Sequence, residues 1–196
     1  MTDPRLDRWL AAVLATPGLT ALDDLGAARA MLLDDALRAV DLVRELHGPI
    51  VDVGSGGGSP GIPLAAALPE REVTLLEANG RKAAFLEEAA REFPNVVVVR
   101  GRAEEQEVDR FGVATAKALA KPPVAVEWAL PLVRPGGAAI LWLGESAELE
   151  AVSRVADQLG GAPPEPHAGL VVVRKVAATP AGFPRRPGIA RKRPLA

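Results

Sequence analysis

From Pro49 onward the chain alternates short apolar runs with longer amphipathic ones. Ile50–Val53, Val73–Glu77, Val96–Arg100, Val113–Ala116, Ala138–Leu143 and Leu170–Val176 are compact runs, several of them rich in valine, which predicts buried strands. Between them Ile62–Leu68, Arg81–Glu92, Val124–Val133 and Ala147–Leu159 read as helices. Repeated strand, helix, strand units imply an α/β fold, a mostly parallel doubly wound sheet with helices on both faces. Upstream, Leu6, Trp9, Leu10 and Val13 fall at helical spacing, Thr16-Pro17-Gly18 breaks the run, and Ala27 to Leu46 resumes it. Residues 1–47 are thus expected to form an N-terminal helical cap, 48–176 a Rossmann-like core and 177–196 a tail, one domain overall. His47, before Gly48-Pro49, suits a helix end or the surface better than catalysis.

The densest punctuation follows the first strand, in Asp52-Val53-Gly54-Ser55-Gly56-Gly57-Gly58-Ser59-Pro60-Gly61. Glycines there let backbone approach a ligand, and Pro63 is tolerated in the first turn of the next helix. In doubly wound sheets ligands sit beyond the carboxyl ends of the strands, where strand order reverses. One rim should therefore carry the glycine turn, Glu77, Gly101-Arg102-Ala103-Glu104 and Lys117. Glu77, 23 positions after Gly54, can accept hydrogen bonds from both ribose hydroxyls of an adenosine. The Ala103 amide and Glu104 carboxylate can read an adenine edge, although Glu104 alone is equally a helix-start acid.

Gly56 to Gly61 formally satisfies the dinucleotide fingerprint, a weak signal when alone. Pro60 intrudes where a pyrophosphate needs free N–H donors, and an acid, Asp52, precedes the first glycine by two residues. A methionine ammonium would welcome that acid, so S-adenosylmethionine is the expected cofactor. The fold class narrows to a class I S-adenosylmethionine-dependent methyltransferase with N-terminal helices.

Composition removes other chemistries. The 196-residue chain has no cysteine and two isolated histidines, so neither a disulfide framework nor a metal site is expected. No apolar run approaches membrane-spanning length, and the N-terminus does not resemble a signal peptide, so a cytoplasmic protein with no membrane partner is expected. Net charge is −2, yet seven of the 23 Lys and Arg, and none of the 25 Asp and Glu, lie from Arg174 onward. This asymmetry suits a tail that meets a polyanion, through Arg185, Arg186, Arg191, Lys192 and Arg193; a solvated end is the plainer alternative. Pro184, Pro187, Gly188 and Pro194 argue against a regular helix there. Deleting residues 184–196 is expected to weaken binding of that polyanion and to spare cofactor binding.

Three segments carry a resemblance: Val51 to Leu64 with its glycine turn; Leu75-Leu76-Glu77-Ala78-Asn79-Gly80-Arg81-Lys82 with Phe85-Leu86; and Gly101 to Glu104. With the ending Phe183 to Leu195 they are similar to the small-subunit ribosomal RNA guanine-N7 methyltransferases, the RsmG or GidB family. Gly18-Leu19-Thr20 and Leu33 to Leu37 extend the likeness toward the N-terminus. The resemblance implies that Gly54 and Ser59 contact S-adenosylmethionine, that Glu77 stands where the family usually has Asp, and that Ala103 and Glu104 hold the adenosine end. It implies action on 16S ribosomal RNA or a ribosomal particle, and a monomer is expected. Lys117 occupies the place of an Arg, which makes it the candidate for orienting substrate or cofactor, with a structural ion pair as its other possible role. Ser59 replaces a bulky apolar residue, and Leu143 a Lys before Gly144. These departures leave open a paralogue that binds ribosomal RNA without modifying it, and the glycine match alone leaves open a nucleotide-dependent oxidoreductase. Guanine N7 carries no proton, so no general base is expected.

Overall fold

The computed structural model describes residues 3–143 and 148–196. The expected helix start at Ala147 and the Leu143-Gly144 departure at its glycine lie outside the described residues. Seven strands form one sheet in the order β3-β2-β1-β4-β5-β7-β6. They are β1 Ile50–Val53, β2 Val73–Glu77, β3 Val96–Arg100, β4 Phe111–Lys117, β5 Val133–Trp142, β6 Glu165–His167 and β7 Leu170–Arg174. β1 to β5 are parallel, whereas β7 runs antiparallel to both β5 and β6. Strand order reverses between β1 and β4, which lie side by side.

Period-two alternation explains why both faces are covered. Val51, Val53, Leu76, Ala114, Ala116, Leu141 and Val173 point into one core cluster with α7 Pro122–Ala129 and α8 Leu149–Gln158. Ile50, Val73, Leu75, Val113, Ile140 and Val172 point to the other face. There they meet α1 Pro4–Ala15, α5 Gly61–Ala67 and α6 Gly80–Ala90. β1 and β2 are buried throughout, while β3, at the edge, is half exposed.

The N-terminal helices belong to the second face. Asp3 caps α1 by accepting the Arg5 amide at 3.0 Å, Pro4 opens it, and Leu6, Trp9, Leu10 and Val13 are all buried. A second helical stretch comprises α2 Leu25–Ala28, a π-helical turn over Arg29–Asp34, α3 Asp35–Leu37 and α4 Val40–Glu45.

Several elements differ from expectation for identifiable reasons. β5 begins at Val133 rather than Ala138, because Pro135-Gly136-Gly137 disguises its first half and a bulge shifts its register against β4. β6, unexpected, is three exposed residues containing a proline, tolerated at a sheet edge. The helix expected to reach Val133 ends at Ala129 and continues as a 3-10 turn, Leu130–Leu132. In the tail, where no helix is expected, a single turn forms as α9 Ile189–Lys192 after Gly188, whose φ is +81°.

The tail packs on the body. Phe183 and Leu195 lie against the first core cluster and Ala190 is 1% exposed within it. At its root Lys175 is fully buried and donates to the carbonyls of Leu130 and Leu159 and to Thr179 Oγ1. Burial lowers its pKa.

Candidate functional site

The carboxyl ends of β1, β2 and β4 frame two adjoining cavities at the switch point. The larger, about 480 Å3, is lined by Gly54, Glu77, Ala103, Glu104, Trp128 and Arg191, among others. The smaller, about 250 Å3, lies between the glycine turn and the N-terminal helices and includes Trp9, Ser59 and Lys117. Gly54, Lys82 and Ala118 line both.

The glycine turn is braced from within. Gly54 has φ +72°, and a Cβ there would collide with Leu119, so only glycine suits both its backbone and its neighbour. The amides of Gly54 and Ser55 donate to the Leu76 carbonyl at 2.8 and 3.2 Å, and that of Gly58 to the Ser55 carbonyl at 2.7 Å. Gly56 N–H donates to Glu77 Oε2 at 2.9 Å and Asn79 N–H to Glu77 Oε1 at 2.7 Å. Trp9 Nε1–H reaches across from α1 to the Gly57 carbonyl at 2.8 Å. A pyrophosphate needs turn amides that point outward and free. Here most are spent internally, and the rim carries a carboxylate.

The expected cofactor residues divide between the cavities. Gly54, Glu77, Ala103 and Glu104 surround the larger. Ser59 and Lys117 border only the smaller, and each is engaged: Ser59 Oγ–H donates to the Leu32 carbonyl at 2.7 Å, and Lys117 Nζ lies 2.7 Å from Asp35 Oδ2 and donates to the Met31 carbonyl. Both carbonyl acceptors belong to the π-helical turn.

Asp52 requires correction. Expected beside a ligand ammonium, it is 1% exposed and lines neither cavity. It accepts Thr115 Oγ1–H at 2.9 Å and the Gly61 amide at 3.2 Å, fastening β1 to β4 and to the start of α5. Burial pushes its pKa up to about 6, against the lowering effect of the hydrogen bonds from Thr115 and Gly61.

The tail is also corrected. Of the seven cations from Arg174 onward, Lys175 is buried, and Arg185 makes a bidentate pair with buried Glu127, both contacts 2.6 Å. Arg185, expected to face RNA, is therefore turned inward. Gly188 N–H donates to Glu104 Oε1 at 3.0 Å, and the Arg191 guanidinium lies 5.1 Å from the Trp128 ring centroid. The deletion expected to spare cofactor binding would remove part of the larger cavity's wall. Arg186, Lys192 and Arg193 are exposed, without ion-pair partners among the described residues.

Sequence reasoning missed Lys82, Trp128 and Arg191 as lining residues. Lys82 had a signal, lying in the first turn of the helix after the acidic strand end; Trp128 was hidden in an apolar helix, and Arg191 was taken up by the charge run. Among the described residues no cluster of three or more His, Asp or Glu is placed to hold a metal ion, and no helix is long and apolar enough to cross a membrane.

The seven-stranded, mostly parallel sheet with an antiparallel β7 and cavities at the switch point has the fold of the class I methyltransferases. Solved methyltransferases share the fold. A putative O-methyltransferase from Klebsiella pneumoniae superposes with TM-score 0.58 at 20% identity, covering 90% of this chain and 92% of that one. The CurJ carbon methyltransferase gives TM-score 0.59 at 12% identity, with 79% and 59% covered. The family described as rRNA small subunit methyltransferase G matches residues 8–159, and the chain belongs to it. Ribosomal RNA small subunit methyltransferase G of Roseiflexus castenholzii is 38% identical, covering 82% of this chain and 76% of the relative. Its namesake from Chloroflexus aggregans is also 38% identical, with 90% and 82% covered.

Proposed function

We propose that this methyltransferase binds S-adenosylmethionine in the larger cavity and methylates N7 of a guanine in small-subunit ribosomal RNA. The observation that carries the cofactor assignment is Glu77. Its carboxylate is fixed at the end of β2 by two backbone amides, faces the cavity and keeps acceptor capacity for ribose hydroxyls. Most of the glycine turn's amides are satisfied within the protein, which suits a cofactor without a pyrophosphate and weighs against an oxidoreductase. The RNA assignment rests on the family and on the names of its members. A paralogue that binds RNA without modifying it is not favoured, since the Ser59 and Lys117 departures both have partners in the fold.

When bound, S-adenosylmethionine supplies a sulfonium methyl group, an electrophile that needs an aligned nucleophile. Guanine N7 offers an in-plane lone pair with no proton to remove, so the protein's task is orientation and charge complementarity. Gly54 would let the ligand approach the turn, Glu77 and Glu104 would hold the adenosine end, and Lys117 and Lys82, beside the smaller cavity where the acceptor base would enter, would orient the RNA through N–H donors rather than stabilise the positive charge arriving on the base.

Incubation with methyl-labelled cofactor and small-subunit particles should label 16S RNA at a guanine whose N7-methylated base depurinates and cleaves under mild reduction and aniline. Glu77→Ala should weaken cofactor binding by roughly 1–3 kcal/mol by calorimetry. Labelling of protein alone, or tighter binding of NAD than of the methyl donor, would overturn the assignment.

A further inference from the structure

The cofactor cavity has a wall from an unexpected quarter. Trp128 on α7 and Arg191 on α9 both line it, with the guanidinium over the indole ring and one guanidinium nitrogen donating to the Leu119 carbonyl at 3.4 Å. The segment that carries Arg191 is anchored at two further points, the Arg185–Glu127 pair and buried Ala190. Gly188 N–H, in the same segment, holds Glu104 Oε1, and among the described residues Glu104 Oε2 has no hydrogen-bond partner. One cavity thus receives a carboxylate acceptor from the 3-10 turn Ala103–Glu105 that follows β3 and a fork of N–H donors from the tail.

Adenine's N1 edge bears the complementary pair, an exocyclic amino group that donates and a ring nitrogen that accepts. We propose that Arg191 is a cofactor-binding residue that, with Glu104, reads this edge, so that the C-terminal tail selects adenosine over 6-oxopurine nucleosides. The inference rests on S-adenosylmethionine being the cofactor. A 6-oxopurine presents an acceptor to the Glu104 carboxylate and a protonated N1 to the guanidinium. Both contacts then fail, and a polar group left unpaired discriminates more sharply than a lost apolar contact. Trp128 holds the planar guanidinium in place, a role an ammonium would not fill equally.

The test titrates the full chain with S-adenosylhomocysteine and with S-inosylhomocysteine, its 6-oxo counterpart, by calorimetry. Wild type should prefer the adenosine form by roughly tenfold or more. Arg191→Ala should weaken its binding roughly tenfold and shrink the preference by a similar factor, and Arg191→Lys, which keeps charge and loses the fork, should restore little of either. The loss should persist at about 0.5 M salt, where distant charge effects are screened. Arg191 is exposed, and circular dichroism should show both variants folded. Binding within twofold of wild type in Arg191→Ala, an unchanged adenosine preference, or full recovery with Lys overturns the inference. A wild type that binds neither compound instead overturns the cofactor assignment itself.

Discussion

The Asp52 carboxyl lies beneath the glycine turn between two donors, and burial pushes its pKa up to about 6. In the unfolded chain the same group titrates near its ordinary value of 3.8. Between those values the folded protein keeps a proton that the unfolded chain has released. The group's contribution to stability is therefore greatest below about pH 4 and declines as pH rises through 6, by about 3 kcal/mol in all. Asp52→Asn removes this titration while leaving an acceptor for one of the two donors. Denaturant unfolding at pH 4.5 and 7.5 should show the variant gaining on wild type as pH rises. An identical pH dependence in the two proteins would show that Asp52 does not titrate in this window. The same residue marks a limit of sequence reading. An acid before a glycine turn is legible as part of the site, but whether it faces the ligand or the underside of the turn depends on β4 and α5, which supply Thr115 and Gly61 from distant positions. Glu77, Ala103 and Glu104 were legible because strand-end position alone puts them on the rim. Trp128 and Arg191 were not, since no local period records contact between an apolar helix and a tail some 60 residues later.

Element by element, the first three strands of the chain were the most legible. β1, β2 and β3 have the bounds that their apolar runs predict, because each is short, uninterrupted and flanked by turns. Elements that break local rules escaped: β6 through its proline and exposure, the first half of β5 through its glycines, and α9 through flanking prolines. The π-helical turn also lay beyond sequence, yet it has a chemical consequence. Its carbonyls at Met31 and Leu32 take Lys117 and Ser59, and Asp35 just beyond pairs with Lys117, joining the N-terminal helices to the β4 rim. Lys117 therefore has a structural task, and its place beside the smaller cavity is compatible with the proposed second one, orienting substrate. Lys117→Ala should lower both the thermal midpoint and, in the protein that remains folded, kcat by an order of magnitude or more. Lys117→Arg, which keeps a cation for Asp35, should preserve both. A destabilised alanine variant with full kcat would assign Lys117 to the helix junction alone.

At the scale of the whole molecule, a chain of net charge −2 gathers seven of its 23 Lys and Arg, and none of its Asp and Glu, from Arg174 onward. The structure divides the basic tail into anchors and free charges: Lys175 and Arg185 are spent inside, Arg191 borders the cavity, and Arg186, Lys192 and Arg193 face outward. If those three neutralise RNA phosphates, each contact releases counterions, at about 0.7 per single-strand contact in the slope of log binding constant against log salt. Replacing Arg186, Lys192 and Arg193 together by alanine should flatten that slope by about 2. S-adenosylhomocysteine binding should stay near wild type, because none of the three lines the larger cavity. Deleting residues 184–196 should flatten the slope equally and, unlike the triple variant, also weaken cofactor binding, because Arg191 and the brace on Glu104 leave with the tail. The two variants, measured by filter binding to small-subunit RNA across a salt series and by calorimetry, thus separate the tail's outer charge from its inner wall. An unchanged salt slope in both would place the grip on RNA elsewhere on the molecule and leave the tail as a strap that closes the cofactor cavity.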